Sequence, residues 1–391
     1  MKGFFTSSEI KFQVSSTIPR CGACGLYKGC LSPKMKPYGK GRRRVLVVGE
    51  APGETEDRLG RPFVGQSGQL LREVLDEIGV DLDEDCLTTN AIICRPPRNA
   101  TPTPQQISYC HPNLKKTIEK FQPEVVITLG KTALESVLMD YWKSDIGTME
   151  RWVGWKIPLP DFWLCPTYHP SYLLRDQHPV LRMMFREHLE NAFLCTRKKR
   201  NTLLNPEKRV KLLYDEDAIR KELKEFCKEK WVAIDYETNS LKPEWEKSRI
   251  YSVALSSGER TISFLYTDSL KNAMLEFITS PVKKIACNLK FEERWTKKVF
   301  GVGMKRWAWD TMIAAHVLDN RPGITSIKFQ AFVRLGVPTY NEHIEPLLQD
   351  KGKYNRIQEI PVNELLLYGG IDALVEYYVA EQQREELGYE D

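Results

Sequence analysis

Residues 48–71, VGEAPGETEDRLGRPFVGQSGQLL, decide how the first half of the chain folds. They overlap an apolar run, Val45-Leu46-Val47-Val48, that reads as a buried strand. GEAPGE cannot continue that strand, because Pro52 lacks an amide donor and Gly53 frees the backbone. Gly60 and Pro62 extend the loop, and Gly65 and Gly68 allow close backbone approach. Residues 69–75 then resume with apolar side chains at helical spacing. A glycine-rich loop between a strand and a helix is a ligand site by geometry, since helix-start amides point into it. This loop also carries Glu50, Glu54, Glu56, Asp57 and one aromatic, Phe63. That mixture is odd for a phosphate cradle. It suits a pocket that stacks a flat ring and handles developing positive charge.

Working outward, residues 87–93 look like a second strand, ended by Arg95-Pro96-Pro97. Residues 110–120 restart as a helix, residues 123–130 form a third strand closed by Gly130, and residues 131–138 make the next helix. Residues 163–166 lead a last strand into Thr167-Tyr168-His169-Pro170-Ser171. Alternation of strand and helix across residues 45–195 implies an α/β domain with a mainly parallel sheet. Ligands of such sheets sit beyond the carboxyl ends of the strands. The GEAPG loop and His169 follow strands, and Asn90 lies within or near the end of one, so all three can converge on one crevice.

A length of 391 residues is long for one domain and comfortable for two. With 42% hydrophobic and 28% charged residues, the composition is that of a soluble globular protein, and no apolar run is long enough for a membrane span. The opening MKGFFTSSEIKF has too short an apolar core for a signal peptide, so a cytosolic setting is expected. A net charge of +5 permits nucleic-acid binding without proving it. Ten cysteines in such a chain argue for metal or free thiols rather than disulfides. Cys21 and Cys24 form a CxxC, with Cys30 close behind, and a second pair follows at Cys94 and Cys110. Thiolate quartets suit zinc or iron–sulfur, and spacing does not separate the two. The basic stretch KMKPYGKGRRR, residues 34–44, is either a solvated loop or a phosphate contact.

The set GEAPGETE, GRPFVGQSG, TTNAIICRPP, CHP and YHPSYLLR, in this order, resembles the family 4 uracil-DNA glycosylases over roughly residues 20–195. The resemblance implies a 4Fe–4S cluster with Cys21, Cys24, Cys94 and Cys110 as ligands and Cys30 as the rival. Cys86, Cys165, Cys195, Cys227 and Cys287 then read as buried small hydrophobes. Breaking an N-glycosidic bond requires a base held out of the helix, stacked, and read on its edge. Phe63 supplies a stacking face, and Asn90 offers donor and acceptor on one amide. His169 is placed to donate to the base oxygen that gains negative charge. A carboxylate near the sugar, Glu50 or Glu56, stabilises the cation or orients water. Gly53, Ser171 and Arg175 complete the expected substrate-binding set, and residues 172–175 are candidates to wedge into the duplex and contact phosphate.

Residues 196–210, TRKKRNTLLNPEKRV, are polar, basic and broken by Pro206, and make the expected boundary between domains 1–195 and 211–391. In the second, residues 215–230 form an amphipathic helix. Residues 231–234 are a strand running into Asp235-Tyr236-Glu237-Thr238. Carboxylates at i and i+2 share one side of a strand, where a divalent metal is the natural partner. Residues 250–255, 261–265 and 284–287 read as further strands, the last leading to NLKFE, and Asp310 is a candidate helix cap. Tyr368 and Asp372, at i and i+4, share a helix face. DYET, NLKFE, WDTMIAAHVLD and YxxxD resemble the 3′–5′ proofreading exonuclease domain of family A DNA polymerases, a ribonuclease H-like fold, over roughly residues 211–391. That resemblance implies two-metal phosphodiester hydrolysis with two Mg2+ or Mn2+. Asp235, Glu237 and Asp372 would be ligands, Glu292 would stand where the common pattern has Asp, and Tyr368 would orient the attacking water.

The expectation is therefore an α/β chain in which a uracil-DNA glycosylase-like domain precedes a ribonuclease H-like exonuclease. DNA, single-stranded or at 3′ ends and containing uracil, is the expected substrate. A DNA polymerase is the expected partner, in bacterial or phage-infected cytoplasm. The chain stops near where a polymerase module would begin in a full replicase. The alternative is that the first domain only binds DNA or a polymerase, as a processivity module beside an active exonuclease.

Overall fold

β1 (Val45–Gly49) is buried at all five positions, as a strand covered on both faces must be. In the computed structural model, which describes residues 18–340, 342–349 and 352–389, it sits inside a five-stranded sheet. The residues read for a leader, 1–12, lie outside the described ones. The other strands are β2 (Cys86–Asn90), β3 (Val125–Leu129), β4 (Ile157–Pro158) and β5 (Trp163–Thr167), in the order β2-β1-β3-β5-β4. All neighbours are parallel except β4, which runs antiparallel along β5. In register, Gly49 pairs with Asn90 and Leu129 with Thr167. The carboxyl ends of β2, β1, β3 and β5 thus form one row.

β2 is shorter than its apolar run suggested. The chain leaves the sheet after Asn90, with the Ala91 and Ile92 amides donating to the carbonyls of Gly49 and Glu50. The helix expected from residue 110 begins earlier, spanning Pro104–Phe121. A Thr103–Gln106 capping box with Pro104 in the first turn fixes its start. The glycine-rich loop also holds a short helix, Glu54–Leu59, with three acidic residues in its first turn and a left-handed Gly60 closing it.

The chain divides into two compact units after Arg200. The second is built on β6 (Val210–Leu213), β7 (Trp231–Thr238), β8 (Ile250–Ser256), β9 (Thr261–Leu265), β10 (Lys283–Ala286) and β11 (Trp307–Asp310). The sheet order is β11-β10-β7-β8-β9-β6. β7, β8 and β9 form an antiparallel meander, whereas β10 and β11 continue parallel to β7, and β6 is parallel to β9. Asp310 ends β11 and caps the helix Thr311–Leu318, accepting from the amides of Met312 and Ile313. It also accepts from the amides of Asn288 and Leu289, which makes it structural. The helix Val362–Glu386 lies against this sheet. Gly370 permits that approach, because a Cβ there would sit 2.3 Å from Val210 Cγ1.

Candidate functional site

In the first unit Gly49 marks where two predicted side chains meet. A Cβ at this position would lie 2.5 Å from Asn90 Oδ1 and 2.8 Å from Phe63 Cζ. Asn90 ends β2 beside Gly49, whereas Phe63 arrives from the loop with a positive φ of 56°. Glu56 holds that loop, since its Oε1 accepts from the amides of Val64 at 3.0 Å and Gly65 at 2.6 Å. Gly53 precedes the short helix, and a Cβ there would meet Glu56 Oε2 at 2.7 Å. Glu50 follows β1, and its Oε2 accepts from Thr132 Oγ1 at 2.8 Å. Thr132 escaped the sequence reading. Its signal was a hydroxyl at the start of the helix Lys131–Leu138, directly after β3.

His169 follows β5 and caps the helix Pro170–Arg175. It packs on the end of β3, because a Cβ on left-handed Gly130 would lie 2.9 Å from His169 Cβ. The Ser171 amide donates to His169 Nδ1 at 3.2 Å, and Ser171 Oγ lies 2.8 Å from the same atom. An amide can only donate, so Nδ1 offers its lone pair, and the proton of the neutral ring is on Nε2. Burial, with the Arg175 charge assisting, lowers His169 to about 4, so the ring is neutral near pH 7. Arg175 closes the helix, and Tyr172 and Leu174 before it are exposed.

Cys21, Cys24, Cys94 and Cys110 line one cavity walled by Leu26, Tyr27, Ile92, Ile93 and Tyr109. All four are free thiols. The Lys34 amide donates to Cys94 Sγ at 3.3 Å, and Asn113 Nδ2 donates to Cys110 Sγ at 3.6 Å. Cys30, the rival, does not line the cavity, and its thiol donates to the Leu26 carbonyl at 3.2 Å. Cys86, Cys165 and Cys195 are buried, while Cys227 and Cys287 are half-buried.

In the second unit Asp235 and Glu237 leave β7 on one side, and Asp372 reaches them from the helix Val362–Glu386. One ligand oxygen from each lies within 4.8 Å of the others, a spacing that suits a metal ion. Gly369 lets the helix come this close, since a Cβ there would be 3.5 Å from Asp235 Oδ2. Burial, and next the Asp372 charge, pushes Asp235 up to about 7. Burial likewise holds Glu237 and Glu292 well above the usual carboxylate range. Asp235 Oδ2 and Glu292 Oε2 are buried without a hydrogen-bond partner. Hard oxygen donors in that condition fit a divalent cation. Glu292 itself lies outside the group of three. Tyr368, one turn before Asp372, is half-buried, and its hydroxyl is held well above its ordinary value by desolvation and by Asp372.

Three more residues at this site were not anticipated. Lys328 pairs with Asp372, Tyr340 donates to the same Asp372 oxygen, and Lys328 Nζ lies 4.3 and 4.2 Å from the ring centres of Tyr340 and Tyr368. Glu376 is the third, buried one turn beyond Asp372. Only its i+4 spacing from Asp372 could have flagged it.

Fold and side chains together define a chain with two DNA-processing domains. The uracil DNA glycosylase superfamily profile matches residues 36–193, and the 3′–5′ exonuclease profile matches residues 210–387. The type-4 uracil-DNA glycosylase of Thermotoga maritima is 40% identical over 194 residues, 48% of this chain and 95% of that protein. Over its amino-terminal half the chain belongs to the type-4 uracil-DNA glycosylase family. The DNA polymerase of Bacillus phage SP01 is 27% identical over 390 residues, which covers 90% of this chain and 41% of the polymerase. Among solved structures, Escherichia coli RNase D, an exoribonuclease involved in structured RNA processing, aligns with a TM-score of 0.36 and 14% identity, over 46% of this chain and 45% of its own. The chain thus spans less than half the length of these last two proteins. No helix among the described residues is long and apolar enough to cross a membrane.

Proposed function

We propose that the first unit removes uracil from DNA and that the second trims DNA from its 3′ end, each in its own site. The observation that carries the first activity is the convergence of Asn90 and Phe63 on the point where a Gly49 Cβ would stand. A uracil turned out of the strand stacks on Phe63 and pairs its edge with the Asn90 amide. As the N-glycosidic bond breaks, its electron pair passes to the base, and His169 Nε2–H donates to the oxygen that gains charge. Glu50, tied to Thr132, faces the sugar and orients the water that adds to it, while Glu56 keeps the Phe63 loop in place. Gly53 and Ser171 support these groups, and Arg175 with exposed Tyr172 and Leu174 meets the DNA backbone.

Cys21, Cys24, Cys94 and Cys110 would hold a 4Fe–4S cluster. Burial pushes the Cys94 thiol up to about 11 and raises Cys110 as well, so a cationic group is needed to keep them as thiolates. The cluster would act as a rigid crosslink between the leading segment and the loop after β2. Iron and acid-labile sulfide in the purified chain, lost in Cys94→Ala, test this assignment; zinc in their place refutes it.

Asp235, Glu237 and Asp372, with Glu292 beside them, would hold two Mg2+ or Mn2+ in the second unit. The ions, when bound, stabilise the attacking and leaving oxygens of the phosphodiester. Tyr368 orients the attacking water, and Lys328 balances the Asp372 charge. Likeness to the phage polymerase over 90% of the chain supports work beside a DNA polymerase, in the cytoplasm of a bacterium or an infected host.

The decisive experiment uses a 3′-tailed oligonucleotide with one uracil, with Mg2+ and with a chelator. Alkali-labile sites in both conditions and 3′ shortening with Mg2+ alone are expected. No alkali-labile sites would refute the excision reading, and shortening in the chelator would refute the metal-dependent nuclease.

A further inference from the structure

The basic run Arg42-Arg43-Arg44 and the basic stretch that opens at Thr196 are far apart in sequence, and the proposed reactions use neither. In the first unit they come together in one open cleft of about 650 Å³. Arg42, Arg43, Arg44 and Arg197 line it, with Glu124 and Glu190. Arg44 immediately precedes β1 and Glu124 immediately precedes β3, and the Glu124 amide donates to the Arg44 carbonyl at 2.8 Å. The helix Pro179–Leu194 brings Glu190 and Phe193, and the Arg43 guanidinium lies 5.9 Å from the Phe193 ring centre. Beyond Arg197 the chain is tied to the same edge, since Trp163 Nε1, at the start of β5, donates to the Lys198 carbonyl at 3.3 Å. The cleft therefore lies at the amino ends of the strands, on the edge of the sheet opposite the base pocket. All four arginines are exposed. Arg42 pairs with Glu84 at 2.6 Å, an acid it shares with Lys40, and Arg43 pairs with Asp85 at 3.2 Å. Arg44 donates to the Gln122 carbonyl, and neither Arg44 nor Arg197 has an ion-pair partner among the described residues.

We propose that this cleft is a second DNA contact, which takes phosphates of the single strand flanking the base held in the pocket. This rests on reading the first unit as an enzyme of uracil-containing DNA. Phosphate is the fitting ligand because a guanidinium presents paired donors to its oxygens, and the lining holds four such groups against two acids. β1 is five residues long, so about 16 Å of sheet separates the cleft from the pocket, at about 3.3 Å per residue. That depth is roughly five nucleotide steps at about 3.4 Å each. The route round the outside of the unit is longer, and it turns back on itself. Duplex DNA, with a persistence length of about 50 nm, resists so sharp a turn, whereas a single strand follows it. The cleft thus selects substrates with an unpaired flank.

The test measures DNA binding by the full chain in a chelator, by fluorescence anisotropy, with a single strand bearing one non-cleavable 2′-fluoro-2′-deoxyuridine. Flanks of about three nucleotides on each side are too short for the cleft, and flanks of about 15 reach it. The unaltered protein is expected to bind the long strand more tightly and with a steeper dependence on salt. Arg44→Gln with Arg197→Gln is expected to bind the long strand about tenfold more weakly at about 0.1 M salt. Its log–log salt slope should be shallower by about 1.4, or about 0.7 for each lost phosphate contact. Its affinities for the short strand and for a blunt duplex of the long sequence should match those of the unaltered protein. Equal affinities of the two proteins for the long strand overturn the proposal and leave the arginines to an acidic protein. A loss of the same size on the short strand also overturns it, because the effect then lies in the base pocket or the fold. If the double variant fails to fold, Arg197→Gln takes its place: a slope shallower by about 0.7 on the long strand alone supports the site, and an unchanged slope overturns it. A short strand bound no better than its thymine counterpart overturns the excision reading, and the proposal with it.

Discussion

Gly49→Ala is the sharpest perturbation of the proposed base pocket, because it adds one methyl where two functional side chains already meet. The new Cβ would stand 2.5 Å from Asn90 Oδ1 and 2.8 Å from Phe63 Cζ. Restoring a 3.4 Å contact requires the amide to withdraw by about 0.9 Å and the ring by about 0.6 Å. Neither has an easy retreat. Asn90 is paired in the sheet with Gly49 itself. The Phe63 backbone is packed so tightly on Gly68 that a Cβ there would lie 2.1 Å from the Phe63 carbonyl oxygen. Overpacking of this kind costs about 1–3 kcal/mol of stability. Misplacing reactive groups by about 1 Å costs on the order of 10²-fold in rate. Excision should therefore fall about 100-fold while 3′ trimming is unchanged. A 5′-labelled uracil oligonucleotide cleaved with alkali reads the first activity, and a uracil-free 3′ end reads the second. Excision within about threefold of the unaltered chain, a change below roughly 0.7 kcal/mol, would refute the placing of Asn90 and Phe63 on the base.

Asp235→Asn should abolish trimming, spare excision, and stabilise the metal-free chain by roughly 1 kcal/mol, because it removes a buried charge repelled by Asp372; urea midpoints check this, and surviving metal-dependent trimming would contradict it. His169 is held near 4, below its ordinary 6.5, so between those values the unfolded chain takes up a proton that the folded one refuses. Its contribution to stability is complete above pH 6.5 and is lost as the pH falls toward 4, by up to about 3 kcal/mol. His169→Gln should flatten this acid slope in urea midpoints, and parallel slopes would show that the ring is not held neutral. Gly370→Ala places a Cβ 2.3 Å from Val210 Cγ1 and should cost about 1–3 kcal/mol and much of the trimming, with excision intact. Adding Val210→Ala should restore both, and failure to do so would mean the loss arises elsewhere on the helix.

Strands buried on both faces were the easiest elements to read. β1 and β9 stand almost where their apolar runs lie, and the helix Lys131–Leu138 stands where Gly130 closes the strand before it. The short helix Glu54–Leu59 was hidden because glycines and prolines on either side read as loop, although its acidic first turn and Gly60 were visible. β11 was masked by Asp310, a cap whose helix begins on the next residue. The strand-end positions of Asn90 and His169 were legible, because they follow from topology. Thr132, Lys328 and Tyr340 were not, because each acts by touching a residue remote in sequence.

The two centres differ in when synthesis completes them. Phe63, Asn90 and His169 have all been made once His169 is added, within a unit that ends at Arg200. The carboxylates of the second stay divided between β7 and the helix Val362–Glu386. A nascent chain leaving the ribosome amino end first can therefore complete its first unit while the second still lacks Asp372. Assembly of the hydrolytic centre therefore waits until the helix Val362–Glu386 has been made.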